Sequence, residues 1–190
     1  MKLSVILSNK SVLLSRLLPM FIGMLLTILM PLTLSSCDEG AYESPVPAGR
    51  VHYTCNITLV NSVMQQDKGQ TMLEVPGGYV RIYDKQKLMA TDEVGTGGLL
   101  LLHNFDGTSY YAFDLTCPYC YKIGGNPTEK MHRITIGDDG FKAVCPSCSS
   151  EFGSVFWGSP AGTAGPANEH NYLLRQYKAY CVGDNLTVTR

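Results

Sequence analysis

Cys117-Pro118-Tyr119-Cys120 and Cys145-Pro146-Ser147-Cys148 are near-copies of one tetrapeptide, and 24 residues separate them. Each Cys-x-x-Cys turn points two sulfurs to one side, and two such turns facing each other supply four thiolates to one metal centre. A chain with this pair has to fold so that both turns meet. The metal-binding loops therefore span residues 115–150, with Cys117, Cys120, Cys145 and Cys148 as ligands.

The N-terminus carries a different message. Lys2, Lys10 and Arg16 form a basic stretch, Leu17 to Leu34 is almost wholly apolar, and Leu34-Ser35-Ser36-Cys37 follows. Small residues before a cysteine read as a bacterial lipobox, with residues 1–36 removed as a signal peptide and Cys37 lipidated. The alternative is an uncleaved transmembrane anchor, since the apolar run is nearly long enough to span a bilayer. Both readings export the domain and hold it at the cell envelope, attached to a membrane on the outer-membrane or periplasmic side. Residues 37–49, with Pro45 and Pro47, read as a lipidated tether, and residues 50–190 as one domain.

Removing the leader takes away Lys2, Lys10 and Arg16 and no acid, which moves the formal charge from −1 to −4. No basic stripe exists, which argues against a nucleic-acid partner. Of the seven cysteines, Cys37 and the paired motifs account for five, leaving Cys55 and Cys181. In an exported chain these two are a candidate disulfide closing a very long loop; two buried free cysteines on neighbouring strands are the alternative.

Short runs rich in Val, Ile, Leu and Tyr alternate with turn residues, which indicates an all-β sandwich or barrel. Strands are expected at 51–60, 79–83, 99–103, 110–113, 133–136, 177–182 and 186–189. Residues 104–108 and 137–140 read as hairpin connections. Short helical turns are expected within 84–94 and 167–174, and no long amphipathic helix follows the leader.

From Cys117 onwards the order of motifs resembles the Rieske iron–sulfur family. The second loop runs Cys145-Pro146-Ser147-Cys148-Ser149-Ser150-Glu151-Phe152, then Gly165-Pro166-Ala167, Leu173 or Leu174, and Tyr177. This is similar to that family's second ligand loop, Ser-x-Phe step, Gly-Pro-Ala turn and leucine-then-tyrosine strand. Tyr111-Ala112-Phe113-Asp114 leading into Cys117 also fits, so the likeness covers about residues 98–190. It implies a [2Fe-2S] cluster and one-electron transfer to a membrane or envelope partner. Rieske loops use Cys-x-His and Cys-x-x-His; here Cys120 sits one position later than the first histidine would, Cys148 takes the place of the second, and His132 and His170 are off the ligand positions. An all-cysteine cluster would have a lower reduction potential than a histidine-ligated one.

Spacing by itself argues for one ion. Two tight knuckles usually bind a single Zn or Fe, as in zinc ribbons and rubredoxin-like centres. The cofactor is thus a [2Fe-2S] cluster or one Zn or Fe ion, and the chain is either an electron carrier or a non-redox structural or interaction module. Disulfides without metal are a further alternative, though such a bridge within a tight turn is strained. Cys-Pro-Tyr-Cys is also similar to the glutaredoxin active site, but that chemistry needs a helix after the first cysteine, and residues 121–127 read as a turn. Gly95-Thr96-Gly97-Gly98 lacks the spacing of a phosphate loop and reads as a turn into a strand. No catalytic constellation stands out, and the chain is read as not an enzyme by itself. His52 and His103 read as structural strand residues, Phe156 and Trp157 as packing or a shield for the metal, and Tyr119 and Tyr121 as packing or a docking patch.

Overall fold

The computed structural model describes residues 42–64 and 72–190; the expected signal peptide and lipobox, with Cys37, lie outside the described residues. The fold is all-β. Ten strands run in chain order as β1 (Val51–Asn56), β2 (Tyr79–Ile82), β3 (Glu93–Val94), β4 (Leu99–His103), β5 (Tyr110–Asp114), β6 (Thr135–Ile136), β7 (Ala143–Val144), β8 (Glu151–Phe152), β9 (Gln176–Val182) and β10 (Asn185–Thr189). Seven of them form a nearly closed antiparallel sheet in the order β2-β4-β5-β9-β10-β1-β3, and β6-β7-β8 make a small separate ribbon.

Leu99-Leu100-Leu101-Leu102 explains how these two parts are joined. A strand buried on both faces carries a continuous apolar run instead of alternating with polar residues. Leu99 and Leu101 turn into a core with Val80, Ile82, Tyr53, Leu186 and Val188. Leu100 and Leu102 turn the other way, into a second core with Phe113, Leu115, Phe152 and Phe156. That second core also contains Cys117, Cys120 and Cys145. The metal-binding loops are therefore packed on the outer face of the sheet, against β4 and β5.

Several expected elements are shorter than their apolar patterns. The segment 51–60 leaves the sheet at Asn56, whose side-chain oxygen accepts the Thr58 amide at 3.0 Å and the Leu59 amide at 3.2 Å. This Asx turn competes with the ladder and leads into a short helix, α1 (Val60–Met64). Of 133–136 only β6 is a strand, with Arg133 making a lone bridge to Thr116. The helical turns expected in 84–94 and 167–174 are a 3₁₀ turn at Lys85–Lys87, capped by Asp84, and a helix at Pro166–Glu169. Both hairpin connections are present: Asn104 N donates to Ser109 O at 2.9 Å, and Gly137 N to Lys142 O at 2.9 Å.

The tether is corrected by its own packing. Val46 is fully buried. Arg175 Nε donates to Val46 O at 2.8 Å, and its Nη2 to Ser44 O at 2.9 Å. Leu173 N donates to Glu43 O at 2.9 Å. Residues 43–49 thus belong to the domain, because Pro45 and Pro47 set an extended chain whose carbonyls Arg175 collects.

Gly95-Thr96-Gly97-Gly98 is the expected turn, and it wraps the buried carboxylate of Asp114. Oδ2 accepts Thr96 N at 2.7 Å and Tyr177 Oη at 2.9 Å; Oδ1 accepts Gly97 N at 3.0 Å, Thr116 N at 2.9 Å and Thr116 Oγ1 at 2.6 Å. Burial and the Asp114 charge raise the Tyr177 phenol above its ordinary range, so it stays a donor at every physiological pH. Tyr177→Phe should cost about 1.5–3 kcal/mol, the worth of one hydrogen bond to a charged group. Asp114→Ala, which leaves several buried donors unpaired, should cost about 3–5 kcal/mol. Urea unfolding at constant slope measures both.

Candidate metal centre

The first knuckle forms where β5 ends. Cys117 N donates to His132 O at 3.0 Å, tying the knuckle to the chain that returns toward β6. Pro118 then opens α2 (Pro118–Lys122), with Cys117 at its N-cap; a proline at the first helical position loses no hydrogen bond. The turn read from residues 121–127 is thus preceded by one helical turn. Tyr121 N closes it on Cys117 O at 3.0 Å, and Gly125 N returns to Cys120 O at 2.7 Å.

The second knuckle hangs from the β7–β8 hairpin. Cys145 N donates to Ser150 O, and Ser149 N to Cys145 O, each at 2.9 Å. Ser149 takes a left-handed conformation, with φ of 57°. The Gly-Pro-Ala turn buttresses this loop. Gly165, with φ of +71°, passes so close that a Cβ there would sit 2.9 Å from Ser149 O. Pro166 begins α3 (Pro166–Glu169). Ala167, fully buried, sends its amide to Ser150 Oγ at 3.0 Å. That leaves the Ser150 proton for Cys148 Sγ, 3.1 Å away.

These supports bring all four sulfurs together. Cys117 Sγ lies 3.6 Å from Cys148 Sγ, and Cys120 Sγ 3.6 Å from Cys145 Sγ. The four ligand atoms all lie within 4.8 Å of one another, and Cys117, Cys120 and Cys145 are buried. A tetrahedron of Zn–S bonds of about 2.3 Å has edges of about 3.8 Å, so the group fits one metal ion.

Contact with Cys145, reinforced by burial, pushes the Cys117 thiol far up, and burial followed by Cys145 pushes Cys120 up. Cys145 moves the other way: the Cys117 thiol and the amides of Cys148 and Ser147 hold it down against burial. With all four sulfurs so close, proton sharing is not confined to the two shortest contacts. The backbone amides of Ser147 and Cys148 favour thiolate character at Cys145.

The remaining sequence candidates separate clearly. Cys55 and Cys181 are free thiols, contrary to the disulfide expectation. Both pair in register with Leu186, from opposite sides of β10. Two strand spacings of about 4.8 Å exceed the roughly 7 Å that a disulfide spans. Burial raises both thiols, Cys55 to about 12, which keeps them protonated. His132 Nδ1 contacts Asn126 O at 3.0 Å, and His103 stacks on Tyr110 with centroids 4.3 Å apart. Phe156 is buried in the second core, whereas Trp157 is 59% exposed. Tyr119 packs on that core and stacks against His170, which in turn stacks on Tyr172. No sequence signal pointed to that three-ring stack, because His170 and Tyr172 lie outside both motifs.

The fold and the site define the class: a small all-β domain with a buried four-cysteine group on the outer face of its sheet. No family model matches the chain, and neither a curated protein nor a solved structure matches it.

Gly165→Ala tests the buttress. The left-handed backbone and the contact with Ser149 should together cost about 1–3 kcal/mol. The variant should bind metal more weakly than wild type, read by competition with a chelator.

Proposed function

We propose that Cys117, Cys120, Cys145 and Cys148 hold one tetrahedral metal ion, zinc, and that the domain is a non-redox module of an exported, lipid-anchored envelope protein. The observation that carries this reading is the mutual spacing of the four sulfurs, all within 4.8 Å. A [2Fe-2S] cluster places two irons and two sulfides between its thiolates, which separates them into two distant pairs. A zinc ion, when bound, cross-links the two loops and carries no redox chemistry of its own.

The residues of this chain then have supporting roles. The amides of Ser147 and Cys148 and the Ser150 hydroxyl stabilise thiolate charge. Phe152, Phe156 and Leu174 exclude water from the buried side. The lipobox at Cys37 supplies the membrane attachment in this reading, and the partner is an envelope protein bound by another surface. In this reading the domain binds a metal and is not an enzyme by itself. The buried, protonating environment of Cys117 works against thiol–disulfide exchange, although a helical turn does follow it.

One observation favours a redox reading instead. The Ser150 hydroxyl beside Cys148 Sγ is a hydrogen bond of the kind that raises the potential of an iron–sulfur centre, and the motif order resembles the Rieske pattern. Metal and acid-labile sulfide content of the protein purified without oxygen decides between them. One zinc and a colourless solution supports the proposal; two irons and two sulfides per chain, with a visible spectrum, replaces it with an electron carrier. Cys145→Ser should abolish metal uptake and loosen the fold, whereas Cys55→Ser should leave metal content unchanged. Full metal content in Cys145→Ser would refute the site.

A further inference from the structure

Cys148 differs from the other three sulfurs of the centre. Cys117, Cys120 and Cys145 are buried, whereas Cys148 is part-exposed, beside Pro146, Ser147 and Ser149, which are all exposed. A small solute arriving from water therefore meets the Cys148 sulfur first. Cys117 Sγ lies 3.6 Å behind it, and the inner pair Cys120 and Cys145 repeats that spacing. Ser150 Oγ, 3.1 Å away, also holds the outer sulfur.

The partners open to an oxidised Cys148 differ in what they would give up. Cys145 is bonded to the amides of Ser147 and Cys148, and a bridge inside that tight turn is strained. Cys120 interacts with Cys148 as well, but it is already in contact with Cys145. Pairing Cys148 with Cys117 leaves that inner contact intact. A disulfide is about 2.05 Å long, so the outer pair closes by about 1.5 Å, a shift that side-chain rotation supplies.

We propose that Cys148 is the site at which a hydroperoxide modifies this domain, with Cys117 as its resolving partner. The Cys148 sulfur attacks one peroxide oxygen and the O–O bond breaks. Cys148 becomes a sulfenic acid, and the other oxygen leaves as water with the Cys148 proton. The Cys117 sulfur then attacks Cys148, the S–O bond breaks, and the oxygen leaves as a second water with the Cys117 proton. Two thiols have thus given two electrons and two protons to one hydrogen peroxide. The bridge joins residues 31 positions apart, so it ties together the same two loops that a metal ion would, and it constrains the unfolded chain. It also removes two of the four ligands. Release of zinc on oxidation rests on the metal reading above; the bridge pattern rests on the sulfur positions alone.

The test adds hydrogen peroxide to the full chain in detergent, both as purified and after a chelator has removed any metal. Trypsin digestion without reductant puts the two knuckles on separate peptides, because Lys122, Lys130, Arg133 and Lys142 lie between them. A first bridge from Cys117 to Cys148 is expected in both samples, located by fragmentation of the linked peptides. Dimedone added with the peroxide should label Cys148 at least tenfold more than Cys117, Cys120 or Cys145. From the metal-loaded sample, one zinc per chain should reach a chromogenic chelator as the bridge forms. No zinc in either sample, with the Cys117–Cys148 bridge present, sinks the metal reading and supports the modification site. A first label on a buried cysteine overturns the proposal. So does a first bridge from Cys148 to Cys120 or Cys145, or four thiols still free after excess peroxide.

Discussion

Five donors converge on the buried carboxylate of Asp114: the amides of Thr96, Gly97 and Thr116 and the hydroxyls of Thr116 and Tyr177. A buried charge is tolerated only when its hydrogen-bonding capacity is met, and here the partners come from three separate parts of the chain. The turn before β4, the residues leading into the first knuckle and the start of β9 are thereby fixed to one point. Arg133 extends the knot: its Nε donates to Gly97 O at 3.0 Å while its guanidinium lies over Tyr83, 4.6 Å from the ring centroid. Arg81 reaches the same ring at 5.2 Å. The position of Cys117, three residues after Asp114, follows from that knot.

The knot matters because the metal-binding loops have little regular structure of their own. Ribbon strands β6, β7 and β8 are two residues each, too short to be stable apart from the sheet they rest on. What holds them is the second apolar core, shared between Leu100, Leu102 and Phe113 of the sheet and Phe152, Val155 and Phe156 of the loops. Three of the four ligand cysteines are members of that core. A metal ion held by the four sulfurs and the packing would therefore reinforce each other: the sulfurs cluster where the leucine run is buried on both faces, and the loops cover the outer face.

Much of this was legible in the sequence, for reasons that differ by element. The two knuckles could be read because Cys-Pro-x-Cys is a local turn whose sulfur geometry does not depend on the rest of the fold. The leucine run could be read as a strand, but not as a shared wall between two cores, since that depends on what packs outside it. β7 and β8 could not be read: two-residue strands leave no period. Residues 43–49 looked like part of a tether because they hold Pro45 and Pro47, yet Arg175, far away in sequence, makes them part of the domain. The Asp114 knot was missed for the same reason. A glycine-rich turn announces free amides, but nothing nearby announces the carboxylate that fills it. Cys55 and Cys181 illustrate the opposite error: counting thiols suggested a bridge, and register through Leu186 separates them.

Charge sets what the four sulfurs have to accommodate if they hold a metal ion. Four thiolates around a divalent ion leave a net charge of −2 in a site where three ligands are buried. The hydrogen-bond donors named at the sulfurs are neutral: backbone amides of Cys120, Ser147 and Cys148 and the hydroxyl of Ser150. Neutral donors spread over two loops offset part of that charge through their dipoles, and the second knuckle has more of them than the first. A ferric ion on the same four thiolates would carry −1 and reach that same −2 on reduction, so the buried surroundings have the same charge to accommodate with either metal. A d¹⁰ ion never faces that step. The amides and the hydroxyl that suit a fixed tetrathiolate would stabilise a reduced iron centre as well, so this chain's own residues meet the charge of either occupant and it is the sulfur spacing that favours a single ion.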